Sequence, residues 1–417
     1  MFLYFVRMRT IGSILEIFLD NQSTGVAYKN KALKRNIVHF LDQQGHSTIT
    51  DISNHLGISV PKGTSLVNEL IQDGLLGEFG KEDSTGGRKA SLFGLVPDCG
   101  FFLGIDVRRY YINVGLIDFQ RNLIKKQTQI PFLLENTLDS YQQMIAIISG
   151  FIAEMPFSKD LLLAAGINLS GRVNRQTGQS YSYFHFHEVP LSHTLTEDLG
   201  ITVFLENDSR AMAFGEFFGS GGMQVSNALF LNMDYGVGMG ILINGKMYYG
   251  KSGFSGEFGH IPLFDNEIIC NCGKKGCLET EASGWAVLRN FKEKVKAGSA
   301  TVILNKNMDV DSITLPDILK GAQQEDVLCI ELLADFGEKA GRGVAFLINV
   351  FNPEMVVIGG ALSQAEDYIR LPMRSTINKL SLSLVNNDTQ LRISKLGETA
   401  GVIGGALLAR EKLINGQ

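Results

Sequence analysis

Apolar residues in the first hundred positions recur at helical spacing and then give way to a short hairpin-like stretch. Leu33 and Ile37 mark a first helix. Thr48 and Ser59 are placed to cap two further short helices, and Gly57 breaks the chain between them. A capped helix, a glycine turn and a second capped helix form a helix-turn-helix, and the hairpin that follows predicts a winged helix.

The winged-helix pattern predicts DNA binding. The exposed face of the third helix would enter the major groove, and cations in the wing would reach phosphates or the minor groove. The predicted DNA-binding residues are Ser59, Lys62, Thr64, Ser65, Asn68, Arg88 and Lys89. The alternative is an ordinary packing module with a solvated polar face, and ten Lys and Arg against nine Asp and Glu in residues 1–97 give DNA binding little support. We expect a dimer on two half-sites.

From Phe101 onward the chain alternates strands and helices in two similar stretches. Residues 101–130 alternate like three strands joined by tight turns, and residues 227–250 again form strand, turn and strand, with Asn244–Gly245 as a hairpin signal. Helical segments follow each stretch, and residues 326–350 have the pattern of one long amphipathic helix. This weak duplication predicts two α/β lobes with a ligand-binding cleft between them.

Composition narrows the class of protein. The chain has 417 residues, of which 45% are hydrophobic and 19% charged, as in ordinary globular proteins. No stretch approaches the roughly 18 to 20 apolar residues of a membrane span, and the first segment lacks the order of a signal peptide, so we expect a cytoplasmic protein. A net charge of −5 argues against wholesale coating of nucleic acid, although it leaves room for one small DNA-binding module.

Three of the five cysteines fall within eight positions, which favours a metal site over disulfides. Together with a nearby histidine they form the candidate ligand set His260, Cys270, Cys272 and Cys277. Gly273 and Gly276 would let the chain turn tightly enough for the sulfurs to converge. Four ligands fill a tetrahedral site, so we predict structural Zn²⁺. The alternative is three unrelated buried thiols; Cys99 and Cys329 are assigned to the core.

Polar side chains near the cysteine loop and at a strand end suit a polyhydroxylated ligand. The candidates are Asn207, Asp208, Glu257, His260 and Glu279. Carboxylates accept hydrogen bonds from hydroxyl groups, whereas amide and imidazole groups can donate to them. Taken alone, each of these residues is more simply a helix cap or a partner of a lysine. Five of them in matching loops favour a sugar site.

At these positions the chain resembles the ROK family, a group of repressors and sugar kinases with an actin-like ATPase-domain fold. The motifs that carry the resemblance are GEFGHIPL (256–263), CNCGKKGCLE (270–279) and ENDSRAMAFGE (206–216). In the last motif, Ser209–Arg210 replaces the small residue and the asparagine usual in the family. The resemblance implies an α/β chain in which a winged helix-turn-helix precedes a two-lobed actin-like (ribonuclease H-like) ROK domain.

The resemblance also implies a domain division and additional site residues. The predicted segments are an arm at 1–30 with no assigned role, a winged helix-turn-helix at 31–97 and a ROK domain at 98–417, with lobes at 98–220 and 221–417. The C-terminal helix is assigned to the second lobe, and the alternative is that the chain returns so that this helix packs in the first lobe. The five sugar candidates would contact the sugar, together with Gly171 and Arg172, and the Cys₃His set would hold zinc.

Both loops that bind phosphates in ROK kinases are altered in this chain. The first, Asp-hydrophobic-Gly-Gly-Thr in the family, has arginines and a tyrosine after Asp106–Val107. The second keeps Gly236 and Gly238 but carries Asp234–Tyr235 where the family has Gly-Thr. Phosphoryl transfer depends on positioning and charge stabilisation of the phosphates, which the altered first loop would not provide. We therefore expect no catalytic residues; if the protein were a kinase, Asp208 would be the base.

These observations predict a sugar-responsive DNA-binding transcriptional regulator, a repressor of carbohydrate-utilisation genes. Its partners would be double-stranded operator DNA and a small sugar or amino-sugar effector, and we expect a homodimer or homotetramer with no membrane partner. One alternative is an ATP-dependent, glucokinase-like sugar kinase with an appended DNA-binding domain. Another is a regulator controlled by a transport protein instead of a sugar.

Overall fold

The chain forms two compact units, each built on a five-stranded sheet. A computed structural model describes residues 14, 16–18, 24–82, 89–186, 188–219, 222–304 and 308–415. The first unit holds the described residues up to Asn168, then Phe184–Leu205 and the chain from Gly405. The second unit holds Leu169–Tyr183 and Glu206–Gly404.

Helices and strands alternate along most of the chain, as the sequence predicts. The helices are α1 (Gly25–Gln44), α2 (Ile49–Leu56), α3 (Val60–Gln72), α4 (Leu138–Ala153), α5 (Leu191–Leu199), α6 (Asp208–Phe218), α7 (Gly284–Lys296), α8 (Leu315–Gln323), α9 (Val327–Phe351), α10 (Asp367–Leu380), α11 (Ser383–Asp388) and α12 (Ala400–Asn415). The strands are β1 (Leu76–Lys81), β2 (Ser91–Leu95), β3 (Phe101–Val107), β4 (Tyr111–Asp118), β5 (Leu123–Pro131), β6 (Leu162–Leu169), β7 (Val173–Asn174), β8 (Gln179–Ser180), β9 (Val203–Asn207), β10 (Ala228–Met233), β11 (Val237–Ile243), β12 (Lys246–Met247), β13 (Met355–Gly359) and β14 (Gln390–Ile393). Among the described helices, none is both long enough and apolar enough to cross a membrane.

Helices α1 to α3 and the β1–β2 hairpin form the winged helix-turn-helix. The Thr48 hydroxyl accepts a hydrogen bond from the Asp51 N–H, and Gly57 ends α2 with a left-handed φ of 63°, which confirms the predicted cap and turn. Strand β1 pairs antiparallel with β2. Arg88, predicted at the wing tip, lies outside the described residues, whereas Lys89 is exposed.

Helix α1 is longer at its start than the apolar pattern indicates. It begins at Gly25, so the predicted boundary at residue 31 falls inside it. The apolar pattern does not mark its first turns because their side chains do not pack in the core: Val26 is 75% exposed and Tyr28 is 56% exposed. Part of the predicted arm packs on this helix: Arg35 donates to the backbone oxygen of Ile17 at 2.6 Å, and Ile17 is buried.

The sheet of the first unit has the strand order β5-β4-β3-β6-β9. Strands β3, β4 and β5 form an antiparallel meander, as predicted, and every residue of β3 is buried. Asp118 closes the predicted β4–β5 turn by accepting from the backbone N–H of Asn122 at 2.8 Å and from its side-chain amide at 2.9 Å.

The sheet of the second unit has the order β12-β11-β10-β13-β14. Strand β10 pairs antiparallel with β11 and parallel with β13. The β11–β12 hairpin turns at Asn244 and Gly245, both with positive φ (51° and 70°), as the Asn-Gly signal predicts. The predicted long helix is α9, capped by Asp326, whose side chain accepts from the Cys329 N–H. Cys329 and Cys99 are buried, as predicted.

The division into units differs from the predicted lobe boundary at residue 220. Helix α6 lies before that boundary but packs on β10 and β11 of the second unit, where a Cβ on Gly240 would lie 2.2 Å from the Cβ of Ala213. The residues of α12 from Gly405 onward belong to the first unit. Periodicity shows that a segment is helical, but it does not show which sheet buries its apolar face.

Buried charges tie the winged helix to the rest of the first unit. Asp42 of α1 forms ion pairs with Arg410 of α12 and, at 2.7 Å, with Arg121 of the β4–β5 turn. Arg410 also donates to the backbone oxygen of Phe119 at 3.0 Å. Burial favours a higher pKa for Asp42, but the two arginines outweigh it and hold the pKa below its ordinary value. These bonds anchor the module through residues far apart in sequence.

Candidate functional site

The predicted metal ligands of the second unit converge in space. The ligand atoms of His260, Cys270, Cys272 and Cys277 all lie within 4.8 Å of one another. The Cys270 Sγ is 3.5 Å from the His260 Nδ1, and the Cys272 and Cys277 sulfurs are 3.6 Å apart. Ligands about 2.3 Å from a tetrahedral zinc ion lie about 3.7 Å from each other, so the donor set fits such an ion. The cluster could hold a metal ion.

Two glycines shape the cysteine loop. Gly273 and Gly276 have φ values of 82° and 71°, a region that side chains disfavour. The Cys270 N–H donates to the backbone oxygen of Lys274 at 2.8 Å, which closes the tight turn. A Cβ on Gly276 would lie 2.2 Å from the backbone oxygen of Phe264. Glycine is therefore required where the chain bends to bring the sulfurs together.

The three thiols differ in acidity. Burial raises the pKa of Cys270 to about 12 and also raises the pKa of Cys277. Burial opposes ionisation of Cys272 as well, but the Lys274 N–H and the neighbouring thiols outweigh it and lower the pKa of Cys272. A metal ion would supply the positive charge that favours the thiolate form of all three.

Asn207 ends β9 and caps α6. Its Oδ1 accepts from the N–H groups of Ser209 at 3.1 Å and Arg210 at 3.2 Å. Its Nδ2 donates to the backbone oxygen of Gly171 at 3.0 Å. The simpler alternative of a helix cap therefore holds for Asn207, and the same side chain fixes the loop that contains Gly171.

Asp208 is held by donors on both carboxylate oxygens. Oδ1 accepts from the Ser209 N–H at 2.7 Å and from the Asn207 Nδ2 at 2.9 Å. Oδ2 accepts from the Ser170 hydroxyl at 2.9 Å, and the Asn232 amide lies 3.5 Å away. Asp208 is only 8% exposed. The carboxylate is thus fixed in orientation before any ligand arrives.

Glu257 and Glu279 lie beside the Cys₃His cluster, to which His260 belongs. The Glu257 Oε2 is 3.8 Å from the His260 Nε2, and both side chains are partly exposed. The Glu279 Oε2 accepts from the Val237 N–H at 3.0 Å, and its Oε1 is 3.7 Å from the Cys270 sulfur. Glu279 therefore links the cysteine loop to the start of β11.

All seven predicted sugar-binding residues lie in the second unit. Hydrogen bonds join Gly171, Asn207 and Asp208 into one group, and Glu257, His260 and Glu279 form a second group at the metal cluster. Arg172 is exposed, and its N–H donates to the Ser182 hydroxyl at 3.0 Å. Sugar contact by these residues stays a prediction.

Sequence reasoning missed several side chains that hold this site in place. They are Ser170, Arg175, Glu206, Arg210 and Asn232. Only one of them carried a signal: Arg210 stands where the family motif has asparagine. Glu206 lies beside Asn207 in the same motif but carried no signal of its own, whereas Ser170, Arg175 and Asn232 contact the site across sequence distances that no local motif spans.

The β3–β4 turn of the first unit is closed by its own side chains. The Arg108 Nε donates to the Asp106 Oδ2 at 2.7 Å, with the two side chains 5% and 0% exposed. The Arg108 N–H is used within the hairpin, where it donates to the backbone oxygen of Tyr111 at 2.9 Å. At this turn a ROK kinase is expected to offer bare N–H groups to phosphate.

The β10–β11 turn of the second unit keeps its glycines but carries a carboxylate. Asp234 accepts from the N–H groups of Tyr235 at 2.7 Å and Ala361 at 3.3 Å. A Cβ on Gly236 would lie 2.7 Å from the Glu279 Oε2, and one on Gly238 would lie 2.1 Å from the Ser209 hydroxyl. These glycines are thus required by the protein's own site residues.

Several predicted DNA-contacting side chains already have partners inside the winged helix. These bonds are Lys62 to the Asn30 Oδ1 (2.8 Å), Thr64 to the Val60 backbone oxygen (2.9 Å) and Ser65 to the Glu69 Oε1 (3.1 Å). Ser59 and Asn68 are exposed, Ser59 at the N-cap position of α3. DNA contact by these residues stays a prediction.

Fold and comparisons agree on the class of protein. An N-terminal winged helix is followed by two five-stranded sheets with their helices and a Cys₃His loop, and the whole is a helical module followed by an actin-like kinase-fold domain. The model of the ROK family matches residues 102–412. The chain belongs to the ROK family.

Three similar proteins illustrate the range of the family. A xylose repressor of Caldicellulosiruptor bescii is 31% identical over 358 residues, covering 85% of this chain and 89% of the relative. The crystal structure of a ROK family transcriptional regulator, a homologue of the E. coli MLC protein, matches with a TM-score of 0.74 and 26% identity, covering 93% and 97%. A ROK glucokinase from Streptomyces griseus, in complex with glucose and AMPPNP, matches with a TM-score of 0.66 and 26% identity, covering 75% of this chain and all of that one (100%).

Proposed function

We propose that this protein is a sugar-responsive DNA-binding regulator that represses carbohydrate-utilisation genes and has no sugar kinase activity. The winged helix supports operator binding, and both a xylose repressor and a ROK transcriptional regulator match nearly the whole chain. The glucokinase matches a smaller share of the chain, 75%. Regulation of transcription therefore explains the winged helix as well as the ROK domain, whereas kinase activity alone would leave the winged helix without a role.

The observation that carries the proposal is the buried ion pair in the β3–β4 turn. The Arg108 guanidinium bonds the Asp106 carboxylate, and the Arg108 N–H is committed to Tyr111. Phosphoryl transfer needs backbone N–H groups and cations aimed at the phosphates. The guanidinium and the N–H of Arg108 are engaged within the protein and do not offer such contacts, so ATP turnover is not expected.

The four residues of the Cys₃His cluster support a structural role for a bound zinc ion. His260 and three cysteines would fill all four positions of a tetrahedral zinc ion, with no position left for an activated water. The bound ion would fix the loop between Glu257 and Glu279, two of the three carboxylates predicted to accept from sugar hydroxyls. Zinc would therefore set the geometry of the site without taking part in chemistry.

The proposed effector is a small sugar or amino sugar bound by the second unit. Asn207, Asp208 and the two glutamates offer an amide and three carboxylates, which suits a ligand rich in hydroxyl groups. A sugar changes operator affinity only if it binds two states of the protein differently, and such coupling is typically about 1–3 kcal/mol. A dimer that presents two winged helices would convert that coupling into a change of DNA affinity.

The proposal is tested with the full chain and a DNA fragment that it selects from a random duplex library. Affinity for this fragment is titrated with D-xylose, D-glucose and N-acetyl-D-glucosamine. We expect at least one sugar to change the affinity, and we expect Asp208→Asn to lose that response while still binding DNA. Asp388→Asn, an exposed carboxylate at the end of α11, is the control and should respond as the wild type does.

Two outcomes would contradict the proposal. Identical DNA affinity with every sugar would contradict sugar control, and a response to a transport protein in its place would favour the partner-controlled regulator. Brisk ATP consumption with any of the three sugars would favour the kinase with an appended DNA-binding domain. That alternative retains one supporting observation, because Asp208, the base of the family's kinases, is present and held in position.

A further inference from the structure

Arg210 of α6 is a buried cation that joins three segments of the second unit. Its Nε donates to the Glu206 Oε1 at 2.9 Å. One terminal nitrogen donates to the backbone oxygen of Val173 at 3.3 Å, and the other donates to that of Ser255 at 3.4 Å. The side chain is only 3% exposed. One guanidinium group thus bonds the end of β9, the β7 strand and the loop before Glu257.

Each of these three contacts is adjacent to a predicted sugar ligand. Glu206 precedes Asn207 and Asp208 in sequence, Val173 follows Arg172, and Ser255 lies two positions before Glu257. A shift of the guanidinium would move all three segments, because its donors have fixed relative directions. The position of Arg210 therefore determines the separation between the groups that would surround a sugar.

A second arginine supports the same carboxylate. The Glu206 Oε1 accepts from the Asn207 N–H at 2.9 Å as well as from Arg210. The Glu206 Oε2 is 3.8 Å from the Arg175 Nε, and the Arg175 guanidinium lies 4.1 Å from the centre of the Tyr249 ring. Glu206 is thus fixed from both sides, so the Arg210 anchor is rigid.

The asparagine usual in the family motif could not replace these contacts. An asparagine side chain is several bonds shorter and has a single amide group, whereas arginine offers five N–H donors in a planar fork. Lysine keeps the charge but concentrates it at one nitrogen, so it can retain the bond to Glu206 without holding both backbone oxygens. The geometry is therefore specific to arginine.

We propose that Arg210 is a positioning residue that sets the spacing of the sugar-site loops and so determines which sugars the second unit binds. This inference deepens the proposed sugar response and depends on it. A residue that acted only on stability would weaken all sugars by the same factor, through the folded fraction. A residue that sets loop spacing changes the ratio of the affinities for sugars of different size.

The test compares the full-length wild type with Arg210→Asn, Arg210→Lys and the control Arg370→Asn by calorimetric titration. D-xylose, D-glucose and N-acetyl-D-glucosamine are the probes, and bound metal and thermal unfolding are measured in parallel. Arg370 suits the control because its exposed guanidinium pairs with Asp367 of the same helix, α10. The control should match the wild type for every sugar.

We expect Arg210→Asn to weaken the sugar that the wild type prefers by roughly tenfold, the factor that corresponds to losing one or two good hydrogen bonds. The ratio of Kd values between the pentose and the two hexoses should change by at least about threefold, and metal content should stay at the wild-type level. The Kd values of Arg210→Lys should lie between those of the wild type and those of Arg210→Asn.

Unchanged Kd ratios in both folded variants would overturn the inference, even if absolute affinity fell. If Arg210→Asn does not fold, Arg210→Lys decides by the same ratio. A wild type that binds none of the three sugars contradicts the proposed function instead, and the same titrations reveal that before any variant is compared.

Discussion

Corresponding strands have the same order in the two five-stranded sheets. The sheets differ at the first hairpin turn along the chain, which is β3–β4 in the first unit and β10–β11 in the second. The orders β5-β4-β3-β6-β9 and β12-β11-β10-β13-β14 place an antiparallel hairpin beside two later strands in each unit. In the first unit the hairpin turn carries arginines and a tyrosine, and a buried Arg108–Asp106 pair closes it. In the second unit the turn keeps Gly236 and Gly238.

This difference shows that retained glycines need not indicate a retained phosphate site. Gly236 makes room for the Glu279 carboxylate and Gly238 for the Ser209 hydroxyl, and the Val237 N–H between them donates to Glu279. The second turn is thus built against residues of the candidate sugar site. The β3–β4 turn lacks the family's glycines and the β10–β11 turn keeps them, yet at each turn side chains of the protein itself contact the turn.

Loss of the proposed zinc ion should produce the largest effect, and it should affect only the second unit. Cys277→Ser deletes one of four ligands, and zinc binding contributes roughly 10 kcal/mol to folding in zinc-finger peptides. We expect loss of bound metal and a large drop in the thermal midpoint of that unit, measured by metal analysis and calorimetry. Cys329→Ala, at a buried cysteine of α9, should keep the metal. A stoichiometric metal content in Cys277→Ser would contradict the ligand assignment.

Removal of the ion pair that closes the β3–β4 turn should have the next largest effect on stability. Arg108→Met leaves the Asp106 carboxylate buried without its arginine, which typically costs about 3–5 kcal/mol. Urea denaturation should show this loss. The double variant Asp106→Asn/Arg108→Met should recover most of it, because no unmatched charge remains. Equal stability of the wild type and the single variant would show that the pair does not hold the turn closed.

The second turn is tested by Gly238→Ala. The new Cβ would lie 2.1 Å from the Ser209 hydroxyl, and overpacking of this kind costs about 1–3 kcal/mol. Sugar affinity should fall too, since the Ser209 hydroxyl donates to the Asp208 Oδ1 at 3.2 Å. Gly150→Ala in α4 is the matched control: nothing lies within 4 Å of its Cβ, and the substitution should stabilise the helix by about 0.5–1 kcal/mol. A neutral Gly238→Ala would disprove the steric explanation of the retained glycine.

The smallest expected effect is a change in how stability depends on pH in the first unit. The folded pKa of Asp42 is held below the ordinary 3.8 by its arginines. Its contribution is therefore fully present above pH 3.8 and is lost as the pH falls through the lower folded pKa. We expect Asp42→Asn to lack this contribution, so the difference in unfolding free energy from the wild type should shrink as the solution is acidified below pH 4. A difference that stays constant across that range would contradict the ion pair.

Local patterns predicted much of the fold and the Cys₃His cluster. Thr48 and Gly57 define the first turn of the winged helix through short-range bonds, and Asn244–Gly245 defines a hairpin through backbone preference alone. The Cys₃His cluster was predictable because tight spacing and glycines force its ligands together. In each case the physical cause lies within a few residues of the pattern.

Contacts between distant residues could not be predicted from the same patterns. Asp42 and Arg410 are 368 positions apart, and neither stands in a recognisable motif. Arg210 was visible as a departure from the family motif, but its bonds to Val173 and Ser255 depend on how separate loops meet. The assignment of α6 to the second unit likewise follows from packing, which periodicity does not specify.

The Asp42–Arg410 pair has a consequence for the order of events during synthesis. Domains generally fold as they leave the ribosome, with N-terminal segments first. The winged helix is made early, but the arginine that anchors it lies 368 positions after Asp42, in α12. A nascent chain therefore carries the winged helix for most of its synthesis before the arginine that attaches it to the rest of the first unit exists.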